Sequence, residues 1–334
     1  VPVATAAANI ALVKYWGKRE NRLNLPARGS LSLTLDALRT YTEVVRDESL
    51  EADTLTIDGE VKTGRAVERI TELLDLLRAE APPELRKIRA RVVSKTTFPV
   101  AAGLASSASG FAALTVAGSA AYDLQHNAVE LSALARRGSG SAARSLFGGF
   151  VRMEAGRLLD GSDAAAHPVE GVPIELAAAV TIVNSGEKDV GSTDGMEKTR
   201  QTSPYHRAWL DQVVKDLHAA EAALKKGDLA TLAGIVEGNC LAMHADAMAA
   251  RPGIIYFKAA TLWAIDRVRA LRKGGIPVMF TVDAGPHVVA FTPPAHVDEV
   301  ARELAQHPDI KRVITSRAGE GAQLIDALPA EVVR

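Results

Sequence analysis

Four early runs, NIALVKYWGK, SLSLTLDAL, TYTEVVRD and TLTIDGEV, read as strands, the second alternating apolar and polar residues most plainly, which predicts a β-rich start to the chain. Within the fourth run, Asp58-Gly59 has the chemistry of a two-residue hairpin turn. The period then changes: AVERITELLDLLRAEA has helical spacing and is stopped by Pro82-Pro83. KIRARVVSKTT alternates again and runs through Phe98-Pro99 into a stretch from Leu104 to Leu124 crowded with Ala, Ser and Gly. Strand, glycine turn and helix is the arrangement predicted there.

A second helix is predicted over AVELSALARR, followed by the loop GSGSAARSLFGG and a strand at FVRMEAG. AAAVTIVNS reads as a strand leading into EKDVGSTDGM, a polar, glycine-containing mobile loop. Helical patterns then cover about 195 to 226, 228 to 248 and 254 to 273, with Asp194 and Glu197 spaced like a capping box for the first. Gly274-Gly275 ends the third, and PVMFTVDAGPHVVAFT predicts two strands around Asp283. A helix at HVDEVARELAQH and strands at KRVITSR and GAQLID complete the chain. Two domains are expected, 1–185 and 186–334.

Composition limits the function classes. The 334 residues are 47% hydrophobic, enough for a large core, and their formal net charge of -1 builds in no bulk attraction to nucleic acid or an anionic membrane. Phosphate binding must therefore be local. One cysteine, Cys240, excludes an intrachain disulfide and a thiolate metal cluster, and it is expected to be a buried small apolar residue. No segment approaches the roughly 20 continuous apolar residues of a membrane span. The apolar N-terminus is broken by Asn9 and Lys14 and lacks a signal-peptide pattern, so a cytosolic setting is expected.

Four places in the sequence carry candidate chemistry. In PVAAGLASSASG, Gly103 lets backbone approach a ligand, while Ser106 and Ser107 offer hydroxyls in the first turn of a helix whose free amides favour phosphate. The same small residues would also suit a helix that merely packs closely on a sheet. No G-x-x-x-x-G-K-[ST] run is present, which excludes a Walker-type loop. Lys14 and Lys18 share a face in strand geometry and, with Tyr15, point two cations and a phenol at one anion, unless they are solvated surface groups. The GSGSAAR loop supplies Ser139, Ser141 and the planar fork of Arg144. That loop follows a helix, not a strand, so its match to the dinucleotide pattern carries nothing. Asp283 ends a strand before Ala-Gly-Pro, where a carboxylate is either a turn-former or a functional acid. No histidine pair has metal-ligand spacing; His206 and His287 are expected to satisfy local hydrogen bonds.

The pattern Pro99, Gly103, Leu104, Ser106, Ser107, Ala108 resembles the ATP-phosphate loop of the superfamily containing galactokinase, homoserine kinase, mevalonate kinase and phosphomevalonate kinase. Within it, NIALVKYWGKRENRLNLP, RRGSGSAARSLFGG and TVDAGPHV are similar to the diphosphomevalonate decarboxylases, in the expected order and over nearly the whole chain. The resemblance implies an α+β, two-domain fold: an N-terminal α/β domain like that of a ribosomal protein, a C-terminal ferredoxin-like α/β domain, and an active site in the cleft between them. It implies ATP and Mg²⁺ as cofactors, with Gly103, Ala105, Ser106, Ser107 and Lys188 at the nucleotide and Mg²⁺ carried on its phosphates near Ser106 or Ser107. Tyr15, Lys18, Ser139, Gly140, Ser141, Arg144 and Ser192 would hold a diphosphorylated substrate. Lys14 and Arg144 would act at its carboxylate and hydroxyl, and Asp283 would be the general base. Thr193 stands where some relatives carry a basic side chain. A homodimer is expected by the same likeness.

Two other readings compete. A relative acting on the 5-monophosphate, or a kinase that stops after phosphorylating the 3-hydroxyl, would use many of the same residues. A nucleic-acid-binding module is the distant alternative, since similar N-terminal topology occurs in ribosomal proteins and topoisomerases. The near-neutral charge opposes it.

Overall fold

The computed structural model describes residues 1–98, 106–184 and 190–329. Its first half is built on β1, Val3–Val13, whose small and aliphatic side chains are buried along the whole strand. Short strands β2 (Lys18–Glu20) and β3 (Leu25–Pro26) follow, and then the 18-residue β4, Ser30–Asp47. Two separate strands were expected where β4 runs unbroken. Ala8 pairs with Leu35 and Ala7 with Arg39, so Asp36, Ala37 and Leu38 bulge out between two registers. A bulge of this kind bends a strand without ending it.

Next come β5 (Thr54–Ile57) and β6 (Glu60–Lys62), joined at Asp58 and Gly59 with φ of 51° and 86°, the left-handed pair that a tight hairpin requires. Helix α1 (Arg65–Glu80), β7 (Arg89–Thr96), α2 (Ser106–Ala121), α3 (Ala128–Gly138), a 3₁₀ turn at Gly140–Leu146, β8 (Phe150–Met153) and β9 (Ala166–Pro168) complete this part. The turn at Gly140–Leu146 replaces the expected open loop. Most residues of α2 are buried, and its small side chains let it lie close on β1 and β4.

The second half begins with β10, Ala177–Val183, and continues through α4 (Ser192–Thr202), α5 (His206–Lys226), α6 (Leu229–Met248) and α7 (Ala259–Lys273). Strands β11 (Met279–Val282) and β12 (Val288–Thr292), α8 (Val297–Leu304), β13 (Ile310–Arg317) and β14 (Gln323–Ile325) close it. The expected helix from 195 to 226 is two helices, because Pro204 lacks an amide donor and interrupts the run. The expected capping box is absent. Helix α4 starts at Ser192 after Gly191, which makes no side-chain cap, and Glu197 instead binds Asn21, Arg200 and Gln201. The last part of the stretch read as a loop, from Ser192 onward, is therefore helical.

Two sheets result. The first has the order β14-β1-β4-β7-β5-β6 with β8 attached to β4 and β9 to β8, and the second is the antiparallel β11-β12-β10-β13. Against an expected boundary near residue 185, β10 already belongs to the second sheet, paired to β12 and β13, while β14 returns to β1 of the first. No helix among the described residues is long and apolar enough to cross a membrane.

Candidate active site

A cavity of about 360 Å³ lies where the end of β1, the start of α2, the Gly140–Leu146 turn, the start of α4 and the end of β11 converge. Eleven residues singled out in the sequence line it: Lys14, Tyr15, Lys18, Ser106, Ser107, Ser139, Gly140, Ser141, Arg144, Ser192 and Asp283. Thr193 is beside them. Gly103, Ala105 and Lys188 lie outside the described residues.

Lys14 and Asp283 form an ion pair in this cavity, with the lysine side chain 2% and the aspartate 25% exposed. One comes from the first sheet and one from the turn after β11. Asp283 is thus not merely a turn-former.

Arg144 is buried and its direct partners are neutral. Its Nε donates to Asn9 Oδ1 at 3.0 Å and its Nη1 to Ser30 Oγ at 2.6 Å. No carboxylate among the described residues makes a direct ion pair with it. Burial lowers its pKa to about 10, partly offset by the nearby charge of Asp283. A buried guanidinium without a bound anion is costly, and such a group facing a cavity suits an anionic ligand. Asn9 uses its whole amide here: Oδ1 accepts from Arg144, and Nδ2 donates to the Ser141 carbonyl at 2.9 Å and Ser145 Oγ at 2.8 Å.

Tyr15 is fixed between strand and turn. A Cβ on residue 140 would collide with its hydroxyl, so only glycine fits there. That hydroxyl is buried with no hydrogen-bond partner among the described residues, and burial raises its pKa. Ser107 Oγ lies 3.2 Å from Ser139 Oγ, which is 3.2 Å from Ser141 Oγ, giving a row of hydroxyls from the start of α2 into the turn. These are hard oxygen donors of the kind Mg²⁺ accepts, and no group of three or more His, Cys, Asp or Glu among the described residues could hold a metal ion alone.

Lys18 donates to Asn24 Oδ1 at 2.6 Å. Its pKa is lowered, first by burial and then by the charge of Arg69, with Arg65 adding to it. Arg65 and Arg69 both line the cavity, and sequence reading missed them. Their four-residue separation at the start of α1 was the available signal, since i and i+4 share a helix face. Asn9, Ser30 and Asn24 were also missed: each is an ordinary polar residue whose role appears only when distant segments meet. His206 and His287 behave as expected, His206 Nδ1 lying 2.8 Å from Asp246 and His287 Nδ1 accepting from the Val183 amide at 3.0 Å.

Residues 6–166 match the family model of the diphosphomevalonate decarboxylase-like N-terminal domain, and residues 178–328 match the mevalonate 5-diphosphate decarboxylase C-terminal domain. The chain belongs to the diphosphomevalonate decarboxylase family. A diphosphomevalonate decarboxylase of Candida albicans is 38% identical over 317 residues, 91% of this chain and 87% of that relative. One from Ganoderma lucidum is 38% identical over 326 residues, 91% of this chain and 81% of that relative. The crystal structure of mevalonate diphosphate decarboxylase from Staphylococcus aureus matches with a TM-score of 0.91 at 36% identity, over 97% of this chain and 98% of that one. The structure of MDDEF in complex with MVAPP, AMPPCP and magnesium matches with a TM-score of 0.90 at 40% identity, over 98% and 99% of the two chains. The two-domain α+β fold implied by the resemblance is therefore the fold of this decarboxylase family.

Removing the buried Tyr15 hydroxyl should separate folding from binding. Tyr15→Phe is expected to leave unfolding free energy unchanged or up to about 1 kcal/mol higher, and to weaken inorganic diphosphate binding by about fivefold. Denaturant titration and calorimetry measure the two effects.

His244 of α6 gives a pH prediction. It is almost wholly buried, its Nε2 donates to the Val282 carbonyl at 3.1 Å, and burial lowers its pKa from 6.5 to about 4. The unfolded chain then binds a proton that the folded chain refuses. Its contribution to stability is complete above about pH 6.5 and is lost as pH falls toward 4, an effect on the order of 3 kcal/mol. Urea unfolding across that range should show the loss, and it should shrink in His244→Gln.

Proposed function

We propose that the chain catalyses the ATP-dependent decarboxylation of (R)-5-diphosphomevalonate to isopentenyl diphosphate, with release of ADP, phosphate and carbon dioxide, in the mevalonate route to isoprenoids. The observation that carries this reading is the Lys14–Asp283 ion pair beside the buried Arg144, in a cavity also lined by the serines of α2. A carboxylate, two fixed cations and a hydroxyl-lined helix start supply a proton acceptor, carboxylate contacts and a phosphate seat in one place.

The tertiary 3-hydroxyl of the substrate leaves poorly until it is phosphorylated. Asp283 accepts its proton as the oxygen bonds to the γ-phosphorus of ATP and ADP departs. Ser106 and Ser107 are the hydroxyls this chain would offer to Mg²⁺ bound with ATP, which would offset the charge of the phosphates. The new phosphate ester then leaves as inorganic phosphate with the C–O electron pair, so positive charge develops on the tertiary carbon. The bond to the carboxylate carbon breaks, its electron pair forms the alkene, and carbon dioxide departs.

Lys14 and Arg144 orient the carboxylate so that this bond aligns with the developing empty orbital. Tyr15, Lys18, Ser139, Gly140, Ser141 and Ser192 hold the diphosphate, supplying binding energy remote from the reacting carbon. The cations Lys18, Arg65 and Arg69, which all line the cavity, favour the more highly charged diphosphate over a monophosphate. Gly103, Ala105 and Lys188 remain expected nucleotide contacts by family likeness, as do a homodimer and a cytosolic setting.

Carbon dioxide release measured with the 5-mono- and 5-diphosphate substrates tests the reading. Release from the diphosphate supports it, whereas phosphorylation without release identifies a kinase. Asp283→Asn should lower turnover by about 10² to 10⁴ with little effect on folding. Near-normal turnover in that folded variant removes Asp283 from the role of base. Arg144→Ala should both raise substrate KM and lower kcat. A change confined to the KM for ATP contradicts its placement at the substrate carboxylate.

A further inference from the structure

Strand β11 is at the edge of its sheet, with β12 on one side only. Backbone groups on an open edge need partners, and here side chains of α6 supply them. Glu237 Oε1 accepts from the Phe280 amide at 3.2 Å, Cys240 Sγ accepts from the Val282 amide at 3.1 Å, and His244 Nε2 donates to the Val282 carbonyl at 3.1 Å. Val282 is the residue immediately before Asp283.

The same helix also reaches the other sheet. Asn239 Oδ1 accepts from the backbone amide of Lys14 at 2.8 Å, just beyond the end of β1, and both groups are buried. The Asn239 amide is itself oriented, because its Nδ2 donates to Asp216 Oδ2 of α5 at 2.7 Å. His244 is held between Phe257, with ring centroids 4.3 Å apart, and Tyr256, at 6.0 Å. Neither Asn239 nor His244 lines the cavity, so neither touches a ligand there.

We propose that Asn239 and His244 of α6 are positioning residues, which clamp the backbone at Lys14 and at Val282 and thereby hold Lys14 and Asp283 in register across the cleft. The inference rests on the reading of that pair given above. An alignment role is physically reasonable because a displacement of about 1 Å at reacting groups costs up to about 10²-fold in rate. Burial keeps the His244 ring neutral, with its one N–H committed to the Val282 carbonyl.

The experiment is a pair of double-mutant cycles on the full chain, with kcat and KM measured for each folded variant. His244→Ala and Asn239→Ala should each lower kcat by about 10- to 100-fold while KM changes little. His244→Gln, which keeps an N–H donor, should recover most of the loss. In an Asp283→Asn background, His244→Ala should add almost no further loss, and Asn239→Ala should add almost none in a Lys14→Ala background. A purely structural role predicts the same fractional loss in either background, and that result overturns the proposal, as does unchanged kcat in both single variants.

Should Asn239→Ala fail to fold, Asp216→Ala provides the milder variant. It frees the Asn239 amide to turn and should lower kcat in the same direction; an unchanged kcat overturns the Lys14 half of the clamp. Wild-type turnover in Lys14→Ala and Asp283→Asn themselves would remove the reading of the ion pair, and the clamp with it. Impaired single variants with additive cycles would remove the clamp alone.

Discussion

Lys14 and Asp283 are 269 positions apart in sequence, and their ion pair sets the geometry on which the rest of the cavity depends. Buried ion pairs contribute little net stability after desolvation, so the value of this one is alignment. It requires the end of β1 to meet the end of β11, and therefore requires the two sheets to face each other at one place. The bulge in β4 serves the same end, letting one long strand pair with β8 near the cavity and with β7 farther along.

Positive charge is concentrated around this pair in a chain whose net charge is close to zero. Arg144 is held by two neutral oxygens, and Lys18 is near both Arg65 and Arg69. Each arrangement raises the energy of the ligand-free protein and is relieved by an anion. The capacity of the cavity to take an anion therefore depends on how its cations are buried, not on how many the chain contains.

Much of this was legible in the sequence. Alternation in SLSLTLDAL and KIRARVVSKTT identified strands, the spacing in AVERITELLDLLRAEA identified α1, and Asp58-Gly59 identified its hairpin, because these depend on neighbours within a few residues. The short motifs brought forward the cavity residues for the same reason. What the sequence hid was pairing at long range. The fusion of two expected strands into β4 depends on partners in β1, β7 and β8. The role of Asn9 depends on Arg144, which lies 135 positions later, and His244 looked like any histidine in a helix until Val282 was seen beneath it. The misplaced start of α4 was a local error: Asp194 and Glu197 have the spacing of a cap, but Glu197 is drawn to Arg200 and Asn21.

The return of β14 to the first sheet has a mechanical consequence. The chain passes between the sheets twice, once between β9 and β10 and again between β13 and β14, with a bridge from Leu35 to Ala318 at the second passage. Two covalent crossings at separate points restrain how the halves can shift against each other more than one would, and a shared apolar core that includes Ile10, Leu12, Trp209, Leu217, Val236 and Phe291 joins them as well, so the cleft is braced from both of its ends.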